Sequence, residues 1–308
     1  MSTTVTNGTS YAGEYKKEII SAALFSAGTL DNGLIEIKPN VKVKRIVKRV
    51  STGSLLSPST CAFTSDSSIT FDERVLEIAK LQVNLEICKA DFEDDYDAIE
   101  MGDSAHNTLP TERFNYILGV VAANVANEIE TAIWQATTAG NADSFDGFLT
   151  LMKADADVID VAKGAVTAEN VVAELQKVVD AIPSAILRKD DLYLYASNSI
   201  YQSYITALGG FGAAGVGANG YKGEGTNQSF GALLFGGIKI VPVDGIPAGE
   251  LVAAQKSNLW FGTSLMADWQ ETKVLDMADK DGSQNVRVIM RMGAGVQYGY
   301  SAEVVLYS

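Results

Sequence analysis

The sequence predicts an α+β fold, and three observations carry that prediction. Leu81, Val83, Leu85 and Ile87 alternate with Lys80, Gln82, Asn84 and Glu86, and the tail alternates through Val286, Val288, Met290, Met292, Val296, Tyr298 and Tyr300, the period-two pattern of half-buried strands. Phe114, Ile117, Leu118, Val121, Val125, Ile129, Ala132 and Ile133 fall instead at helical spacing. From Asp191 the chain alternates strand (192–196), helix (198–208, with Tyr201, Tyr204 and Ile205 on one side) and strand (238–243), the texture of an α/β module.

Taken in order, residues 1–40 are rich in Ser, Thr, Gly and Asn and read as an arm that needs a surface to lie on. Residues 41–50 interleave β-branched and basic side chains, so that the window 36–50 carries a net charge of +5; a strand is expected, with a bulge near Arg45 where the alternation slips. Residues 51–68 hold turn formers and no Lys or Arg, and read as a long loop. With the alternating run 80–88 behind it, the segment 41–90 is expected to be a protruding hairpin, which is marginally stable in water unless it rests on another surface. The charge then inverts, with seven carboxylates and no basic residue from Asp91 to Asp103. Two readings of the charged windows stay open: a pair of solvated faces, or complementary charge between copies of the chain.

A long helix is expected over 111–139, with Thr108 or Thr111 as cap, Pro110 near its first turn and Gly140 at its end. A second helix carries Val171, Leu175, Val178 and Ile182, with Thr167 as its cap and Pro183 as its stop. Residues 209–237 hold 11 glycines in 29 positions, a surface loop rather than packed structure.

Composition narrows the function. The 308 residues, 47% hydrophobic, are enough for one large core or two ordinary ones. A formal charge of −14 opposes general nucleic-acid binding through counterion release. One histidine, His106, and two cysteines, Cys61 and Cys88, leave no material for a zinc cluster, a disulfide framework or a histidine-rich catalytic centre. With no signal sequence at Met1 and no run of about 18 apolar residues, a soluble cytosolic product is expected.

Chemical motifs are weak. Gly215 to Gly220 matches G-x-G-x-x-G, but it follows a helix, whereas a dinucleotide site needs a strand turning into a helix under the pyrophosphate. The stretch 279–283 resembles a calcium loop but would put Val288 where the bidentate Glu belongs. The carboxylates of 91–103 crowd one segment instead of converging from separate elements. No catalytic residue, cofactor or metal is therefore expected.

The order of elements resembles the major capsid protein of tailed double-stranded DNA bacteriophages, the Hong-Kong-97-like fold. The likeness covers nearly the whole chain and rests on the hairpin followed by the acidic stretch and long helix, the crossing at 145–148 (Phe-Asp-Gly-Phe), the turn at 246–249 leading to 258–263, and the ladder 286–293. The resemblance implies an N-terminal arm (1–40), an extended hairpin or E-loop (41–90), a peripheral domain (91–164 and 265–295) with spine helix 111–139, and an axial α/β domain (165–264 and 296–308). It implies a non-enzymatic virion shell subunit that forms pentamers and hexamers in a bacterial host cytoplasm and encloses double-stranded DNA without reading its sequence. Separate scaffolding and portal proteins, and decoration proteins, are the implied partners, and no membrane. Inter-subunit contacts are expected at Lys42, Lys44, Arg45, Lys48 and Arg49 and at Asp91, Glu93, Asp94, Asp95 and Asp97. The capsomer axis is expected at Gly209, Gly210, Gly212, Gly215, Gly217 and Gly220. The absence of lysine from the hairpin tip implies non-covalent shells. The alternatives are an encapsulin-type nanocompartment shell protein and, further off, a nucleotide-dependent enzyme.

Overall fold

The computed structural model describes residues 28–53, 55, 56, 59, 61, 68–88, 111–139, 145–208, 233–264, 272–278, 280 and 282–308. A single turn α1 (Gly28–Asp31) leads into β1 (Glu36–Lys38), β2 (Lys44–Thr52), β3 (Ile69–Glu77) and β4 (Ala79–Cys88). The long helix α2 (Thr111–Gln135) and the short α3 (Phe148–Ala154) follow, then β5 (Ile159–Val161), α4 (Val171–Ala181), β6 (Leu192–Ala196) and α5 (Asn198–Ala207). The chain closes through β7 (Leu233–Phe235), β8 (Ile238–Pro242), β9 (Leu251–Gln255), β10 (Leu259–Thr263), β11 (Thr272–Asp276), β12 (Asn285–Tyr298) and β13 (Val305–Tyr307).

Two sheets share the core. The first runs β1-β10-β12-β11, with β4 also on β12, and the second runs β5-β13-β9-β6-β8-β7. The second sheet is apolar on both faces because both are covered. Leu192, Leu194, Ile240, Ala253 and Val305 meet α4 and α5 through Val171, Leu175, Val178, Ile200, Tyr201 and Tyr204. Tyr195, Val252, Ala254 and Leu306 point the other way, into a cluster shared with α2, α3 and the first sheet. Trp134, fully buried, stands at that junction with its ring 5.4 Å from Phe148 and 5.5 Å from Tyr195.

The long helix ends at Gln135 rather than 139, and the returning chain takes up the next carbonyl: Gly147 N and Thr150 Oγ1 both donate to Ala136 O, at 2.8 Å each. Its 25 residues make a rod of about 37 Å. The cap of α4 also differs from expectation: the helix starts after Asn170, whose Oδ1 accepts from Thr167 N at 2.7 Å. Residues 28–38, part of the expected arm, rest on the body of the chain. Leu30, Leu34 and Ile35 are buried, and β1 pairs in parallel with β10. The tie to α2 is polar: Glu130 accepts from Thr29 N at 3.0 Å and from Thr29 Oγ1, which in turn accepts from Trp134 Nε1 at 3.0 Å. Burial pushes the Glu130 carboxyl up, and these bonds oppose the shift.

The hairpin needs the largest correction. β2 pairs with β3, from Lys44 opposite Glu77 to Thr52 opposite Ile69, in an unbroken register with no bulge at Arg45. The alternating run that sequence reading placed in this hairpin is β4, which lies in the first sheet against β12, Cys88 opposite Asn285 through Ala79 opposite Ala294. Its even-numbered residues face outward, while Leu81, Val83, Leu85 and Ile87 pack on the core. Alternation reports one covered face and not which strand covers it.

The base of the β2–β3 ribbon crosses the first sheet where side chains are missing. A Cβ on Gly262 would sit 2.8 Å from Leu76 Cδ2, one on Gly293 would sit 2.9 Å from Ile78 Cγ2, and one on Gly295 would collide with the Glu77 carbonyl oxygen. Gly262 and Gly295 are register partners on β10 and β12, so together they form a bare spot that receives Leu76, which is fully buried. Gly295→Ala is expected to lower stability by about 2–3 kcal/mol, because the obstacle is backbone and cannot swing aside. Gly119→Ala, exposed in α2 with open space around its Cα, is expected to raise it by about 0.5–1 kcal/mol. Chemical denaturation of the two variants checks both signs.

Candidate assembly surfaces

With no catalytic constellation expected, the surfaces worth building up are those that meet other molecules. In an antiparallel pair, residues directly opposite share a face. One face of the ribbon holds Arg45, Val47, Arg49, Leu76, Arg74 and Asp72, and it is turned toward the body of the chain. Arg74 reaches Asp155 at 2.6 Å and Ser301 Oγ at 3.2 Å, with its guanidinium 5.1 Å from the Tyr298 ring centre. Tyr298 OH donates to the same Asp155 oxygen at 2.8 Å. Further out, Arg49 donates to Gly299 O at 2.7 Å, stacks 5.8 Å from the Tyr300 ring centre and pairs with Asp72. Gln297 Nε2 donates to Val75 O at 3.2 Å. Two arginines thus clasp the ribbon across the bend that ends β12.

The other face looks outward and alternates charged and apolar pairs. Ile46 stands opposite Val75 and Val50 opposite Phe71, all exposed, with Phe71 at 72%. Ile69, next along, is exposed too. Lys44 pairs with Glu77 at 2.9 Å, and Lys48 stands opposite Glu73. Two exposed apolar pairs thus flank the Lys48–Glu73 pair on a narrow ribbon, the kind of exposed apolar surface that marks a contact site.

The sequence-predicted contact residues divide accordingly. Lys44, Lys48 and Arg49 sit opposite acids of β3, whereas the sequence expectation drew the hairpin's second strand from the alternating run 80–88. Arg45 lies on the inward face opposite Leu76. Lys42 lies apart, in a groove of about 630 Å³ formed where the ribbon base meets the outward face of the first sheet. Asp91, Glu93, Asp94, Asp95 and Asp97 lie outside the described residues, as do Gly209, Gly210, Gly212, Gly215, Gly217 and Gly220. So do His106, the expected cap Thr108 and Pro110. Cys61 and Cys88 are free thiols. Among the described residues no group of three His, Cys, Asp or Glu side chains is placed to hold a metal ion, and no helix is long and apolar enough to cross a membrane.

The clasp titrates. Burial pushes the Asp155 carboxyl up, but hydrogen bonds from Arg74 and Tyr298 outweigh it and hold the group below its usual value. A depressed carboxylate stabilises the fold above its unfolded pKa, and that stability is lost as pH falls through the folded one, here below about pH 4. Arg74→Ala is therefore expected to lower the melting temperature at pH 7 by about 2–4 °C, corresponding to about 1–2 kcal/mol, and by less at pH 3. Calorimetry at the two pH values reads the difference.

No protein-family model and no curated protein matches the sequence. Solved structures do match along nearly the whole chain. The chain of the capsid of the empty GTA particle is 16% identical, with 98% of this chain and 94% of that chain covered at a TM-score of 0.55. The satellite phage P4 procapsid that includes the size determination protein is 14% identical, with 99% and 92% covered at a TM-score of 0.59. The virus-like particle from Pyrococcus furiosus is 8% identical, with 97% and 100% covered at a TM-score of 0.56. The clasped ribbon, long helix and paired sheets described above are accordingly built on the α+β fold shared by capsid and virus-like-particle chains.

Proposed function

We propose that this chain is a major capsid protein that self-assembles, through pentamers and hexamers, into an icosahedral phage head around double-stranded DNA. The observation that carries the reading is the outward face of the ribbon. Ile46, Val50, Ile69, Phe71 and Val75 are exposed on a strand pair whose other face is already occupied, on a fold shared with capsid chains. Burying such a stripe against a neighbour returns about 25 cal/mol for each Å² of apolar surface removed from water. Many weak copies of one contact, closed by symmetry, then make a stable shell.

The finer assignments belong to the same reading. The ribbon and its tip form the extended E-loop that lies over an adjacent subunit, 1–40 is the N-terminal arm, and α2 is the spine of a peripheral domain completed by 265–295. Residues 165–264 and 296–308 form the axial domain, with the glycines of 209–220 near the capsomer axis, where subunits of one sequence meet at five-fold and six-fold positions. The subunit is structural rather than enzymatic, its location is the virion, and scaffolding, portal and decoration proteins are separate partners. The net charge of −14 keeps packaged DNA from adhering to the inner wall.

The virus-like particle from Pyrococcus furiosus aligns at lower identity than the capsids, and the encapsulin-type compartment is the less favoured reading. Electron microscopy of the purified protein tests the proposal: closed shells support it, and a small discrete particle overturns it. Ile46→Asp/Phe71→Asp is expected to abolish shells, while the melting temperature of the unassembled subunit stays within about 2 °C of the parent, since both positions are solvent-exposed. Shells from that variant, counted by light scattering and microscopy, remove the ribbon from the assembly contact.

A further inference from the structure

The groove beside the ribbon base is rich in cations. Its rim carries Lys42, Lys80, Lys273 and Arg291, and its walls include Ile78 and Ile289; no carboxylate lines it among the described residues. The sheet register explains the crowding. Lys80 stands opposite Gly293, Gln82 opposite Arg291, and Lys273 opposite Ile289, so all three cations project from the outward face within a few residues of one another. Two residues along β12 the pattern is different. Arg287 stands opposite Glu86 and bonds it at 3.2 Å. Lys42, Lys80 and Arg291 form no ion pair among the described residues. Like charges side by side on a sheet repel unless an anion lies between them.

Resting on the capsid reading, we propose that this groove receives the acid-rich stretch 91–103 of a second copy of the chain. Three arguments select that occupant. The stretch holds seven carboxylates and no cation, which complements Lys42, Lys80 and Arg291 in the groove. Phe92, Tyr96 and Ile99 are interleaved among those carboxylates and suit the apolar walls. The same mixture favours a peptide over a phosphodiester backbone, which calls for cations standing clear of apolar surface. The third argument is reach. β4 ends at Cys88, eight residues beyond Lys80, or about 27 Å along the strand. To fill its own groove the chain would have to run back that whole distance, using up residues through about 96 and with them four of the seven carboxylates; a neighbouring copy has no such constraint.

Charge exchange between two variants tests the proposal. Variant one carries Lys80→Glu and Arg291→Glu. Variant two carries Asp91→Lys, Asp94→Lys and Asp95→Lys. Each alone is expected to give at least about tenfold fewer shells, a loss of roughly 1.4 kcal/mol per subunit contact, whereas co-expression restores mixed shells because each reversed groove meets a reversed stretch on its neighbour. Normal shells from variant one alone overturn the proposal. So does rescue only when all five substitutions are on one chain, which makes the contact internal. Intact shells that merely retain less DNA also overturn it, since the groove then holds phosphate. A fluorescein-labelled peptide of residues 90–102 gives an independent reading on the wild-type full-length chain. Its anisotropy should rise on binding, weaken with added salt, and require at least about tenfold more protein with Lys80→Ala or Arg291→Ala. Equal binding by those single variants overturns the groove even where the double reversal fails to fold. A wild-type chain that makes no shells yet binds the peptide would refute the capsid reading and leave the groove standing.

Discussion

The close crossing of Leu76, Glu77 and Ile78 over a patch of sheet without side chains is the constraint on which the rest of the molecule depends. Gly262, Gly293 and Gly295 leave room there for one chain to lie directly on another, and packing at that distance removes the solvent that would otherwise compete for the Arg74–Asp155–Tyr298 contacts alongside. The corner sends β4 one way, into the sheet beside β12, and the β2–β3 ribbon the other, out along the bend at 297–301. A side chain at Gly295 would push on Glu77 and disturb both at once.

That corner also sorts the charges. The ribbon is rich in cations, yet β3 brings Asp72, Glu73 and Glu77 across from Arg49, Lys48 and Lys44, so most of its positive charge is answered within the strand pair. What remains outward is apolar. The unanswered positive charge sits instead on the outward face of the first sheet, around Lys80 and Arg291. The two surfaces differ in physical character, one driven by removal of apolar area from water and insensitive to salt, the other electrostatic and salt-dependent. Assembly through both would be strong through the first and register-specific through the second.

At 8–16% identity, the shared fold is preserved by pattern rather than by particular side chains. Cores of many compositions support one architecture, so the fold by itself does not fix what the surfaces bind.

Local pattern was enough to find the long helix, α4, the β6–α5–β8 alternation and the final ladder, because each buries one face against something and the period of that face is visible in a single segment. It also made the scarcity of catalytic side chains plain, since one histidine and two cysteines are a matter of count. Strand partnership was another matter. Residues 69–77, with four charged side chains among nine and little alternation in burial, gave no sign that they were the other half of the ribbon, and 80–88 carried so clear an alternation that it was assigned to the nearest strand in the chain. Register between segments 200 residues apart, as in β4 on β12, depends on shape and exclusion at the glycine crossing, which only the folded chain assembles. The ribbon's apolar outer stripe and the cationic groove belong to the same class: periodicity reveals that a face exists, and tertiary packing decides what, if anything, covers it.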